Sequence, residues 1–429
     1  MKRMIAILLS LALTIGLSAC GSEEIAPEET RTTPAPVVET EPAPTPFVPD
    51  PQILEALGEP VVLNIRNITE TFPAPDDAER VILTFGYDDV DVYLESNTAA
   101  AEAINQALAM QDEIYYSGTG NGDGINSVLE LAMDNYELIQ EHDAGLNMDF
   151  SCMRTAYVDR ADNRVISLRY RVNSYTGGAH GLYFDRAYVF DAASGRPLSF
   201  DDLSDDRAAL EQLLLEKMYD TLHNDVRYKP VFDYMTAFKA DENLDNELSA
   251  LFREGSWTLT EEGLSVFSDI YEIGSYADGI VRFTVTYDEL SGLLKDDLLP
   301  CERTYDGELR IMDIDDQNGK NVHLLDMVSV SNDGQQFRVY AEGTVYDVSV
   351  TSVTYINDDI GFYQTETHWY CSYLSNLGVQ VKTLIPEGMP DLMVSYRDKA
   401  GTIHHCLVTE SGEDGSVLLL EEEHVVAVG

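Results

Sequence analysis

The sequence predicts an α+β body followed by an all-β one. Three observations carry this. Apolar residues at helical spacing alternate with strand-like runs between residues 59 and 299. From 300 to 429 helical periodicity nearly vanishes, and short alternating runs are separated by turn residues. Hydrophobic residues make up 44% of the chain, ample for real cores.

The first segment, 59–172, opens with strand-like stretches at Val61–Ile68, Arg80–Phe85 and Val90–Leu94. Ala99–Met110 reads as a helix capped by Asn97 or Thr98. A glycine-rich loop, Ser117 to Gly124, leads into a second helix, Ile125–His142, with Val128, Leu131, Ala132, Leu138 and Ile139 as its apolar positions. Strands at Asp149–Asp159 and Arg164–Ser174 close the segment. The latter is apolar enough on one side and mixed enough on the other that both sheet faces should be partly covered.

The second segment, 173–299, begins with a strand at Tyr183–Phe190. Ser204 is placed to cap a helix whose first turn holds Asp205 and Asp206 and whose stripe is Leu210, Leu213, Leu214, Met218, Thr221 and Leu222. A further helix carries Leu244, Leu248, Leu251 and Phe252. Strands follow at Ser256–Thr260, Gly263–Ser268 and Ile280–Tyr287. In the third segment, 300–429, the alternating runs are Gln336–Ala341, Gly343–Thr351, Gly378–Leu384 and Leu392–Tyr396.

The N-terminus reads differently. Lys2 and Arg3 precede an apolar run, Met4–Leu17, that is short for a bilayer span and fits the core of a signal peptide. It closes on Leu17-Ser-Ala-Cys20-Gly, which resembles the lipobox of secreted lipoproteins. Residues 1–19 are therefore expected to be removed and Cys20 to carry a lipid anchor at the extracytoplasmic face of the cell membrane, since two acyl chains hold stably. Residues 20–58 form a linker containing eight of the sixteen prolines, with abundant Glu and Thr. Such a segment buries too little to order itself and should act as a semi-stiff spacer. With only three residues before the apolar run, a cytoplasmic domain is not expected.

The chain carries 27 basic and 76 acidic residues, a net charge of −49; without Lys2 and Arg3 it is −51. That charge excludes nucleic acid as a partner and repels anionic lipid heads, and it draws cationic proteins at long range. It also serves plain solubility. Four cysteines follow Cys20: Cys152, Cys301, Cys371 and Cys406. None forms a CxxC pair, so zinc-type spacing is absent. A Cys371–Cys406 disulfide is the preferred pairing within the third segment, and buried free thiols are the alternative.

Two stretches of the second segment carry a family likeness. One is Ser174-Tyr-Thr-Gly-Gly-Ala-His-Gly181 with Tyr183 and Phe184 behind it. The other is Leu259-Thr-Glu-Glu-Gly-Leu264 with Tyr271-Glu-Ile-Gly-Ser-Tyr-Ala-Asp-Gly279. Together they resemble the secreted bacterial family known as domain of unknown function 3298 (DUF3298). The segment before them resembles the domain of unknown function 4163 (DUF4163) that often accompanies it, found at the N-terminus of some peptidoglycan deacetylases. The resemblance spans about 59–295, and Ser275 stands where the family often has Pro. It implies an α+β domain with an antiparallel sheet. It also implies contact with cell-wall glycan or with an enzyme that cuts it, such as lysozyme.

In physical terms, Gly177 and Gly178 permit a tight turn. Tyr175, His180 and Tyr183 are then expected to form an exposed polar–aromatic patch for a sugar or protein, or else to brace a hairpin; Tyr271 to Gly279 is a second glycine-bearing bend, with Tyr271, Tyr276 and Asp278 as further binding candidates whose tyrosines could pack the two motifs together. Catalytic constellations are absent: Thr84-Phe-Gly-Tyr-Asp-Asp89 interrupts the Thr-Phe-Asp-Asp a deacetylase needs, and no His-x-x-x-His exists. No enzymatic activity is expected, with a wall-polymer enzyme or a structural lipoprotein as alternatives. No cofactor is expected beyond a possible Ca²⁺. The candidate loops are Thr119 to Glu130, which matches much of an EF-hand, and Asp313, Asp315 and Asn318, with oxygens at near-alternate spacing.

Overall fold

The computed structural model describes residues 57–118, 124–142, 149–238, 244–312, 323–357, 359–385, 388–411 and 416–426. The described residues all fall within one compact unit. Cys20 with its leader and the linker as far as residue 56, the residues Thr119 to Asp123, and Asp313, Asp315 and Asn318 lie outside the described residues; Leu57 and Gly58, at the linker's end, are described, Leu57 buried and the Gly58 carbonyl accepting from the Tyr373 hydroxyl. Among those described, no group of three or more His, Cys, Asp or Glu side chains is placed to hold a metal ion, and no helix is long and apolar enough to cross a membrane.

The architecture is α+β. The first segment builds β1 (Val62–Pro73), β2 (Val81–Tyr93), α1 (Thr98–Ser117), α2 (Ile125–His142), β3 (Phe150–Ala161) and β4 (Val165–Tyr175). Asn97 caps α1. The stripe of α2 is Ile125, Val128, Ala132 and Tyr136; Leu131 and Leu138 face solvent instead, because the aromatic Tyr136 takes the inner position and bonds Asp76. The two runs expected at 80–85 and 90–94 are one strand, β2. The expected antiparallel sheet has one parallel step here, β2 to β3, because α1 and α2 return the chain to the end where β2 began.

The second segment adds β5 (Leu182–Asp191), α3 (Arg207–Asn224), α4 (Lys229–Phe238), α5 (Leu244–Ser249), and a small sheet of β6 (Trp257–Leu259), β7 (Gly263–Phe267) and β8 (Arg282–Thr286). Asp206, not Ser204, caps α3; Ser204 accepts from the Asp206 amide one step earlier. Leu210, Leu214, Met218 and Leu222 bury as their spacing requires.

The third segment supplies β9 (Gly307–Met312), β10 (His323–Ser329), β11 (Gln335–Asn357), β12 (Gly361–Ser375), β13 (Leu377–Thr383), β14 (Leu392–Arg397), β15 (Ile403–Glu410), β16 (Val417–Glu421) and β17 (Val425–Val426). The long β11 serves two layers. Its first half pairs with β9 and β13, its second with β12 and β14.

A single sheet path, β16-β15-β14-β11-β12-β1-β2-β3-β4-β5, crosses the positions 172/173 and 299/300. Its narrowest join is β1 to β12, with Val62, Leu63 and Asn64 opposite Cys371, Tyr370 and Trp369. The cores interpenetrate likewise: Tyr370 packs with the first segment and Val62 with the third.

Polar groups fasten the same seam. Fully buried Arg160 donates to the Leu298 carbonyl (2.6 Å) and the Tyr287 hydroxyl (2.8 Å) while pairing with Asp162. Arg303 bridges Glu261 on the β6–β7 turn and Asp347 on β11. Asp347 also accepts from the Tyr370 hydroxyl at 2.7 Å. Burial, with the Asp347 charge beside it, holds Glu261 well above the usual carboxylate range.

The Cys371–Cys406 pairing is corrected: all four described cysteines are free thiols. Cys371 lies on β12 and Cys406 on β15, with β11 and β14 between them. Three strand spacings put them about 14 Å apart, twice the reach of a disulfide.

Two outcomes follow. Thiol titration of the denatured protein without reductant should detect Cys152, Cys301, Cys371 and Cys406 all as free; loss of two would restore the bridge. Folded Glu261 keeps its proton up to about 8, whereas the unfolded chain releases it near the ordinary glutamate value. Between the two, the folded state holds the extra proton, so stability falls as pH rises, by up to about 1.4 kcal/mol per pH unit for one proton. Urea unfolding of Glu261→Gln from pH 5 to 9 should decline less steeply than wild type. Parallel curves would mean Glu261 is ionised throughout.

Candidate functional site

The β4–β5 connection is the glycine-rich turn. Gly177 and Gly178 have φ of +94° and +92°, open to glycine alone at low cost. The Tyr175 hydroxyl donates to the Gly178 carbonyl at 3.2 Å and so closes the turn. His180 lies at its exposed end, its Nδ1 3.0 Å from the Gly181 carbonyl.

The second motif, 271–279, comes to meet it. Asp278 accepts from both the amide and hydroxyl of Ser275, at 2.7 and 2.6 Å, and so fixes a single 3-10 turn that presents Tyr276. The His180 ring stacks on Tyr276 with centroids 3.9 Å apart. Tyr183 meets Tyr276 edge-on at 6.1 Å, and Tyr271 lies 5.8 Å away. The Tyr271 hydroxyl is 3.4 Å from His180 Nε2. Tyr271 has φ of +67°, a left-handed backbone that is costly for an aromatic residue, and it is 47% exposed.

Residues 91 positions apart thus form one outward-facing aromatic cluster. Gly177, Gly178, Tyr175 and Asp278 shape its backbone, while His180, Tyr183, Tyr271 and Tyr276 make its surface.

Beneath it lies a group the sequence reading missed. Alternation along β3, β4 and β5 sends Tyr157, Asp159, Arg169, Arg171, Tyr183 and Asp185 to one face. Asp185 is fully buried and accepts from Arg171 at 2.8 and 3.0 Å and from Arg169 at 3.1 Å, with Arg282 at 3.4 Å. Arg169 also reaches Asp159 at 3.2 Å. Three guanidiniums therefore face two carboxylates, a local cationic excess within an acidic protein. Burial, with Arg169 and Arg171 alongside, lowers the Arg282 pKa. Arg171 lies between the Tyr157 and Tyr183 rings, at 5.8 and 6.0 Å, and so links this cluster to the aromatic patch. The signal in the sequence was the spacing of Arg169 and Arg171 on a strand otherwise apolar, a pattern that demands buried acids opposite.

Two hollows border these elements. One, about 290 Å³, lies between α1 and β5 and is mostly apolar. Of its polar members, Glu254 accepts from the Phe200 amide and Tyr188 donates to Gln111, while the buried Trp257 indole N–H has no hydrogen-bond partner. The other, about 220 Å³, is the more polar of the two and opens where β3, β4, the β6–β7 turn and the strands of the third segment meet.

No curated protein matches the chain. Among solved structures it is similar to a DUF3298 family protein of Pseudomonas aeruginosa PAO1, at 16% identity over 56% of this chain and 97% of that one, with a TM-score of 0.38. It is similar also to a member of the same family from Bacteroides fragilis NCTC 9343, at 17% identity, 55% and 94% coverage and a TM-score of 0.37. The likeness to the deacetylase-associated domain over 59–172 is not among what these comparisons show. Residues 200–288, which hold the small sheet and the Tyr271–Gly279 motif, match the family described as "Protein of unknown function (DUF3298)".

Proposed function

We propose that this protein is a non-enzymatic, lipid-anchored binding protein of the cell envelope that recognises cell-wall glycan through the aromatic patch. The observation that carries the reading is the convergence of His180, Tyr183, Tyr271 and Tyr276 into one partly exposed surface, with Tyr271 held in a strained backbone to complete it. Aromatic rings offer flat apolar faces to sugar C–H groups, and their hydroxyls and the imidazole offer hydrogen bonds at the rim. The lipobox-like Cys20 and the proline-rich spacer support this reading, since an acylated Cys20 on such a spacer would hold the patch outside the membrane within reach of the wall.

A second reading is favoured by charge. A body with 76 acidic residues against 27 basic ones attracts a cationic wall-cutting enzyme such as lysozyme, in a salt-dependent way.

Co-sedimentation with purified insoluble peptidoglycan separates the two. Tyr271→Ala should weaken glycan binding about tenfold, as losing one stacking ring costs about 0.5–1.5 kcal/mol beyond its area, and the effect should persist at high salt. Pull-down with lysozyme should instead vanish at high salt and ignore Tyr271→Ala. Wild-type protein that stays in the supernatant while the peptidoglycan pellets ends the glycan reading.

A further inference from the structure

The polar cleft where the three segments meet is separate from the aromatic patch, and its lining is selective. Three carboxylates border it, Asp159, Glu261 and Asp347, with two guanidiniums, Arg169 and Arg397. An anionic ligand would meet the carboxylates and a cationic one the guanidiniums. Each carboxylate already faces a guanidinium, Asp159 with Arg169, Glu261 with Arg303, and Asp347 with Arg303 and Arg397, so the charges of the lining are matched within the protein. The lining also holds hydroxyl and amide groups, Ser349, Thr367 and Gln364, and the rings of Tyr157 and Tyr396. At about 220 Å³ the space is smaller than the about 300–1,000 Å³ of sites for drug-sized ligands.

The backbone is irregular where it borders this space. Asp347 is a non-glycine residue at φ +51°. The β11–β12 register slips twice between Val350 and Val353, so that Thr367 stands opposite Thr351 but Gln364 opposite Val353. Bulges of this kind re-aim side chains, and strain at a non-glycine residue persists only where its surroundings enforce it. Gln364 has only a long 3.5 Å contact to Thr351, so its amide is nearly uncommitted.

From these observations we infer that the cleft is a binding site for a single uncharged, hydroxyl-rich ring, a neutral hexose or its N-acetyl derivative. Each ligand hydroxyl both donates and accepts, and so uses a lining that offers carboxylate acceptors and guanidinium and amide donors in near balance. The tyrosine rings cover the ring's C–H edge. The site does not depend on the aromatic patch.

Saturation-transfer NMR on the full chain tests this with D-glucose, D-galactose and N-acetyl-D-glucosamine as neutral probes and D-glucuronate as a charged one. At least one neutral probe should receive saturation, and glucuronate should receive far less. Gln364→Leu and Thr367→Val, made singly and each read in protein with an unchanged thermal midpoint, should weaken the signal about tenfold. Tyr271→Ala should leave it intact, which separates this site from the peptidoglycan reading. Silence from all three neutral probes at millimolar concentration, preference for glucuronate, or full binding in both cleft variants would overturn the inference.

Discussion

The fold depends on a buried ionic seam. Arg303, Glu261, Asp347 and Tyr370 satisfy one another, and Arg160 ties Asp162 to Tyr287 and the Leu298 carbonyl, so that all three segments contribute where water is largely excluded. Removing one partner from such a network leaves the others buried and unpaired, which costs more than the intact network contributes. The seam therefore specifies which segment faces which more than it adds stability. It also supplies two walls of the polar cleft, since Glu261 and Asp347 belong to both. Architecture and recognition are in this sense one constraint.

Local features were legible from the residues alone. The aromatic motifs were visible because each is a short turn with its own glycines, and the capping of α1 by Asn97 follows from a polar residue before an apolar periodic run. Their meeting through His180 and Tyr276 was expected from shared tyrosines, and the ring stack gives it a geometry. Strands split by a polar or glycine residue were read as two where the structure has one. Gly86 and Asp88 lie inside β2, and Gly343 inside β11.

What escaped the sequence was long-range. The arginine pair on β4 could be seen, but Asp185 could not be chosen among 76 carboxylates. The cysteines shared a segment, yet sharing a segment does not put two residues on neighbouring strands, and β11 and β14 stand between them. Helix α4 was hidden because Lys229-Pro230 reads as a break; proline in the first turn of a helix is in fact well tolerated, since its missing N–H has no partner there.

The β1–β12 join has a consequence for how the polypeptide acquires its shape. Val61 exchanges hydrogen bonds with Ser372, 311 residues further along. Until that distant strand has been synthesised, one side of β1 has no neighbour, and its unpaired amides and carbonyls are open to wrong pairings. Closing so large a loop is entropically costly and slow. The N-terminal portion must therefore wait, half-zipped, for nearly the whole polypeptide to emerge, and a chaperone that shields a lone strand edge would find its longest-lived target there.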